Sequence, residues 1–364
     1  MAAKSQILVE TPSSASSLTP PMSISCVKEL VESNTLITSI PSNYIFSTNL
    51  SDDQVVTEEL PIIDFSLLTS GSPDQRSKIV HELGKACQDW GFFMVINHGV
   101  PENLREEMLN ACQRFFDLTE EEKREYAGKH VTDPIRCGTS FNASVEKVFF
   151  WRDFLKVFVH PEFHSPGKPP GFREISSKYC KRTRQVAIEL LKGISESLGL
   201  QEYYIDNEMK LEKGFQILAG NLYPPCPEPE LAMGMPPHSD HGLLTLLIDN
   251  CIGGLQIQHK GKWVQVNSLP NSFLVNIGDH LEILSNGKYK SVLHRAKVND
   301  KTTRVSLAIA HGPSLDTVVS PAPELLNSES NKPAYSGMKY RDYMELQQGS
   351  VLNEKTSLDR VRVK

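Results

Sequence analysis

The stretch PPHSDHGLLTLLI, residues 236–248, sets two histidines and an aspartate within four residues, directly before an apolar run. Its polar head reads either as a set of metal ligands or as the decorated start of a strand. On an extended chain side chains alternate, so His238 and Asp240 share one face and His241 points away from them. The pair carries little weight alone. With 11 histidines and 16 aspartates in 364 residues, chance supplies about half an H-x-D per chain.

A third ligand has to come from elsewhere. The downstream candidates are His259, His280, His294 and His311. His259 falls in an expected exposed turn. His280 follows NIGD, where a solvated turn residue is the plain reading. His294 lies inside KSVLHRAKV, an expected strand in which a buried imidazole needs a partner. Ten residues further on, RVS places Arg304 and Ser306 on one face of the next strand. RVSLAIA is too apolar for a solvated strand, and a buried arginine wants an anion. A guanidinium beside a hydroxyl suits a carboxylate, with bidentate geometry available. Two histidines and one carboxylate on one side of a metal leave three positions open, the pattern of non-haem Fe(II) oxygenases. Those positions can take a bidentate 2-oxo acid and dioxygen, with Arg304 on the distal carboxylate of the acid.

The rest of the chain supplies the setting. Residues 1–22 read as a disordered tail rather than a leader, because they lack both a basic start followed by an apolar run and any arginine. VKELVES is a short helix and LPIIDFS (60–66) a strand. SPDQRSKIVHELGKACQDWG carries a helix start at Ser72, Pro73 and Asp74, with Ile79, Leu83, Ala86 and Trp90 on one face. FFMVINHGV is a buried strand, PENLREEMLNACQRFFDL a second amphipathic helix, and residues 175–199 a long third one. From about 215, short apolar runs alternate with turns at roughly ten-residue spacing, including a hairpin around Lys260-Gly261. Helices followed by many short strands imply a sandwich or barrel braced by helices. The expected division is a helical region over 23–210, a strand-rich core over 211–320, and a loop and helix over 321–364.

Net charge of −6 argues against a nucleic acid or an anionic membrane as partner. No apolar run approaches the roughly 20 residues that span a bilayer. Seven scattered cysteines without a CxxC pair fit a reduced, cytoplasmic protein. Monomer is the default expectation.

With these segments in order, the chain resembles the plant Fe(II)/2-oxoglutarate-dependent dioxygenases, the isopenicillin N synthase-like family in its specialised-metabolism branch. The likeness runs from about residue 58 to 345. The H-x-D…H triad of the family corresponds to His238, Asp240 and His294, with 53 residues between the last two, and its R-x-S motif to Arg304 and Ser306. NLYPPCPEPELAMGMPPHSDHGLLTLL is similar to the segment ahead of that triad, which implies that Asn221 and Tyr223 reach the cosubstrate. LPIIDFS, ACQDWGFFMVINHGVP, FFWRDFLKV and NIGDHLEILSNGKYKSVLHR agree as well. Leu222 stands where tyrosine is common, and Ala310 where several flavonoid-acting members carry an aromatic.

The resemblance implies an α+β chain with a mostly β core, a double-stranded β-helix or jelly roll braced by amino-terminal and long central helices. It implies Fe(II), 2-oxoglutarate and O2, with ascorbate as reductant and a small molecule as substrate. The reaction is hydroxylation, O-demethylation or desaturation, with release of succinate and CO2. Phe141, Phe150, Ala219, Ala310 and Tyr335 are the expected pocket walls, from family position and apolar character. Three rivals stay open: an oxidase of the same superfamily that does not use 2-oxoglutarate, a zinc-dependent jelly-roll enzyme, and a non-catalytic binding protein on the same scaffold.

Overall fold

The computed structural model describes residues 26–33, 38–46, 55–143, 145–326, 332–349, 352 and 355–363, so the expected tail over 1–22 lies outside the described residues. The chain opens with α1 (Val27–Ser33) and β1 (Val55–Thr57). Next come β2 (Ile62–Asp64), α2 (Phe65–Ser70), α3 (Pro73–Asp89), β3 (Phe92–Ile96), α4 (Glu102–Phe116) and α5 (Glu120–Arg124). β4 (Ile135–Thr139) and β5 (Asp153–His160) precede α6 (Phe172–Ser197) and α7 (Tyr204–Glu208). The strand-rich part holds β6 (Gln216–Tyr223), β7 (Met235–His238), β8 (Leu244–Asp249), β9 (Leu255–His259), β10 (Lys262–Gln265) and β11 (Phe273–Ile277). α8 (Asp279–Leu284), β12 (His294–Ala296), β13 (Arg304–His311), α9 (Tyr340–Gly349) and α10 (Thr356–Val361) complete the main elements.

Local chemistry sets the boundaries. LPIIDFS is a strand only to Asp64, because the Asp64 carboxylate accepts from Ser66 N–H and starts α2. α3 begins at a capping box in which Ser72 and Gln75 satisfy each other, with Pro73 at the first helical position. The hairpin of β9 and β10 turns through Lys260 (φ 47°) and Gly261 (φ 78°), the positive pair that a two-residue turn between twisted strands requires. α1 is held from a distance: both oxygens of Asp153 accept backbone N–H groups, Val27 and Lys28, at 2.8 Å.

Two sheets face each other. One has the order β1-β10-β9-β12-β7, the other β2-β3-β11-β8-β13-β6-β5-β4. This is the double-stranded β-helix, with α3, α4 and α6 packed on the outer face of the larger sheet. β13 shows how one strand serves two surfaces. Val305, Leu307 and Ile309 enter the helix-covered core, while Arg304, Ser306, Ala308 and Ala310 face a cavity between the sheets. Leu307 is fully buried, so truncating it to alanine costs about 2–5 kcal/mol.

The boundary expected at 211 does not divide the strands: β2, β3, β4 and β5 precede it and belong to the same sheet as β6 and β13. KSVLHRAKV is paired only over His294–Ala296. His280 is not a solvated turn residue, because the turn at Gly278 leads into α8 and buries it. His259 is not exposed either; its ring stacks on Trp90 at 3.8 Å and 3°. Among the described residues, no helix is long and apolar enough to cross a membrane.

Candidate active site

His294 and His238 pair directly across β12 and β7, which brings their ring centroids to 4.1 Å. β7 ends at His238, so Asp240 lies in the following turn rather than on the strand face expected of it. That turn is braced. Asp240 O accepts from Asp279 N–H at 2.8 Å, and Ser239 Oγ donates to Asp279 Oδ2 at 3.2 Å. Gly242, at φ +89°, and Gly278 meet beside it, where a Cβ on Gly278 would stand 2.4 Å from the Gly242 carbonyl oxygen.

The donor atoms converge. Asp240 Oδ1 stands 3.8 Å from His238 Nε2 and 3.7 Å from His294 Nε2. Each imidazole turns Nδ1 to a carbonyl oxygen, His238 to Pro236 O at 2.8 Å and His294 to Val292 O at 3.2 Å. A carbonyl only accepts, so the proton sits on Nδ1 and the Nε2 lone pair is free. Asn276 Nδ2 fixes the other carboxylate oxygen at 2.9 Å. Burial, and then His294, lowers the His238 pKa, which keeps that ring neutral at pH 7. Burial works to raise the Asp240 pKa, but His294, His238 and the Asn276 amide outweigh it and keep the carboxyl ionised. A neutral imidazole at His238 and an ionised carboxylate at Asp240 are the protonation states a divalent metal needs.

A second group, Cys26, Glu29 and Glu120, also lies close together. It is already satisfied: the Cys26 thiol donates to Glu120 at 3.0 Å, and Lys123 Nζ stands 2.7 Å from the same carboxylate. Burial, then Asp153, pushes that thiol up to about 12, so it stays protonated.

β13 and β6 place the other expected residues opposite one another. Arg304 pairs with Tyr223 and Ser306 with Asn221, and Asn221 Nδ2 donates to Ser306 Oγ at 3.4 Å. All four line the cavity that also contains the triad. The reason expected for a buried Arg304 needs one correction. Asp249 already supplies an anion at 3.0 Å through Nη2, while Nε has no hydrogen-bond partner in the structure. A guanidinium held on one side and unpartnered on another suits a second carboxylate.

The chain matches the 2OG-Fe(II) oxygenase superfamily over residues 213–313 and the non-haem dioxygenase in morphine synthesis N-terminal family over 60–175. It is 51% identical over 308 residues to 2-oxoglutarate-dependent dioxygenase 19 of Oryza sativa subsp. japonica, covering 84% of this chain and 91% of that one. The chain belongs to the 2-oxoglutarate- and Fe(II)-dependent dioxygenases. This dioxygenase is also 40% identical to Protein DMR6-LIKE OXYGENASE 2 of Arabidopsis thaliana, over 85% of this chain and 90% of that one. Among solved structures, JOX2 in complex with 2OG, Fe and JA superposes with a TM-score of 0.85 at 32% identity, covering 94% of this chain and 98% of that one.

Some of the expected walls line the dioxygenase cavity and others do not. Phe141, Ala219 and Ala310 line it. Phe150 does not: it stacks on Phe46, behind the cavity wall, in the cluster that also holds Tyr44, Trp151 and the lining residue Phe141. Tyr335 does not either, because its hydroxyl donates to the fully buried Glu282 at 2.7 Å. His241 stands outside the triad and bonds Tyr340 Oη at 2.8 Å, yet it borders the cavity. Asn276, Asp249, Arg152, Lys156, Gln347 and Gln348 were not singled out in the sequence. Asn276 had a signal, an amide inside the buried run FLVNI.

Proposed function

We propose that the dioxygenase hydroxylates a small, largely apolar specialised metabolite, with His238, Asp240 and His294 as the Fe(II) ligands. Where the attacked carbon is the methyl of an O-methyl group, the hydroxylated methyl leaves as formaldehyde and the product is demethylated; removal of a second hydrogen from the neighbouring carbon, in place of hydroxylation, gives desaturation. The observation that supports this best is the convergence of two Nε2 lone pairs and one fixed carboxylate oxygen inside a cavity that also holds Arg304.

Iron and 2-oxoglutarate supply the oxidising power from O2, with release of succinate and CO2 and with ascorbate as reductant. The side chains bind, orient and exclude water. Arg304, Ser306 and Tyr223 hold the distal carboxylate of the cosubstrate, with Asn221 beside them. Leu247, Leu255, Leu274 and Leu352 keep the space between the sheets dry. The enzyme acts as a cytoplasmic monomer, with neither nucleic acid nor membrane as partner.

A metabolite screen with Fe(II), ascorbate and 2-oxoglutarate, read as substrate-stimulated succinate, tests this function. His294→Ala should abolish both bound iron and turnover. Full 2-oxoglutarate-dependent turnover in that variant would sink the ligand assignment, and turnover without succinate would favour an oxidase.

A further inference from the structure

The cavity holds more basic side chains than the site above uses. Its lining includes Arg152, Lys156, Arg295 and Arg304 against a single carboxylate, Asp240. Arg304 is matched by Asp249, while Arg295 bonds Gln256 at 2.8 Å and lies 4.0 Å over the Trp263 ring. Arg152 and Lys156 remain. Their polar partners are neutral. Arg152 Nε donates to Ser140 O at 3.1 Å, its Nη1 meets the Met235 sulfur at 2.8 Å, and its Nη2 has no partner. Lys156 Nζ donates to Gln348 Oε1 at 2.7 Å. Glu146, whose field reaches both cations, gives one oxygen to Ser140 Oγ and is itself raised in pKa by burial.

Register places Lys156 with respect to the rest. It pairs with Ala219, Ala219 with Ala308, Ala308 with Leu247, and Leu247 with Leu274. All five line the cavity. The row therefore starts at a cation, crosses two alanines that leave space above them, and ends on two leucines. The ammonium lies 4.4 Å over the Phe141 ring. Burial, then Arg136 and Arg152, pushes its pKa well below 10.5, and an arriving anion would restore its charge. The Lys156 row meets β13 at Ala308, four residues from Arg304, or about 13 Å along the strand. That separation gives the cosubstrate and a second anion different receptors.

We propose that Lys156 receives a carboxylate of the substrate, and that the substrate is a small carboxylic acid whose apolar body lies over Ala219 and Ala308. This rests on the dioxygenase reading of the site.

The test uses cinnamate and methyl cinnamate as probes, titrated calorimetrically under anaerobic conditions into the full chain loaded with Fe(II) and 2-oxoglutarate. Binding of Fe(II) and of 2-oxoglutarate is titrated on the same preparations. The wild type should bind cinnamate at least about tenfold more tightly than its ester. Lys156→Met should erase that preference while leaving ester and 2-oxoglutarate affinities in place, and Lys156→Arg should restore it. An unchanged ester affinity shows that the Met variant keeps its cavity. Equal binding of acid and ester by the wild type, no cinnamate binding at millimolar concentration, or a Met variant that loses 2-oxoglutarate instead would each overturn the clamp. Failure of the wild type to bind Fe(II) and 2-oxoglutarate would overturn the reading beneath it.

Discussion

Asn276 on β11 donates to Asp240 Oδ2 at 2.9 Å, so Asp240 turns only Oδ1 towards the imidazoles of His238 and His294. The amide comes from the larger sheet and the imidazoles from the smaller one, so this hydrogen bond holds the carboxylate between the two sheets. Asn276→Ala frees that carboxylate to rotate. Iron affinity should fall about 10- to 100-fold, read as metal retained after dialysis, with turnover recovering at high Fe(II). Unchanged retention would show that Asp240 orients itself.

Arg304→Lys keeps the charge near Asp249 but loses Nε and the planar fork. The KM for 2-oxoglutarate should rise about 10- to 100-fold, in line with the loss of a charge-assisted bond. The KM for the oxidised substrate should move far less. Succinate formation at varied 2-oxoglutarate measures both.

Tyr335 and Ala310 separate stability from selection. Tyr335→Phe removes a donor from Glu282, which is fully buried and also faces Lys355 at 3.2 Å and Arg362 at 3.1 Å. Urea unfolding should show a loss of about 1.5–3 kcal/mol with substrate KM unaltered. Ala310→Phe fills cavity space instead, and should raise substrate KM with little change in the unfolding midpoint.

Acid should destabilise the fold through buried neutral imidazoles. Burial, then Arg105, holds His98 at about 4, and its Nδ1 accepts from Val100 N–H at 3.1 Å. A second proton there would break that bond. The folded pKa lies below the ordinary 6.5, so the stabilisation is full above pH 6.5 and is lost as pH falls towards 4. His311 is lowered in the same direction, chiefly by burial, to about 3. Thermal melts between pH 7 and pH 4 should fall steeply, and less steeply in His98→Gln. Parallel curves would rule His98 out as a contributor.

The candidate ligands were legible because a metal site restricts residue types: His238, Asp240 and His294, then Arg304 and Ser306, stand at readable spacings. Strand alternation does not pair His238 with Asp240, since the strand stops at His238 and a braced turn positions the carboxylate. Contacts between distant segments left no local trace. The stack of His259 on Trp90 joins residues far apart in the chain, and KGK beside the histidine mimics an exposed turn. Asp249 became the partner of Arg304 only through the pairing of β8 with β13. Lys156 looks like an ordinary strand lysine until Ala219 and Ala308 show that its side of the sheet faces an enclosed space.

The alanines at 219, 308 and 310 sit on adjacent strands of the larger sheet, whereas the imidazoles of His238 and His294 hang from the smaller one. A descendant gene that exchanges one of these alanines for a bulkier residue alters which molecules fit without displacing His238 or His294. Such a lineage can try new chemical diets one codon at a time while its oxidative engine keeps running.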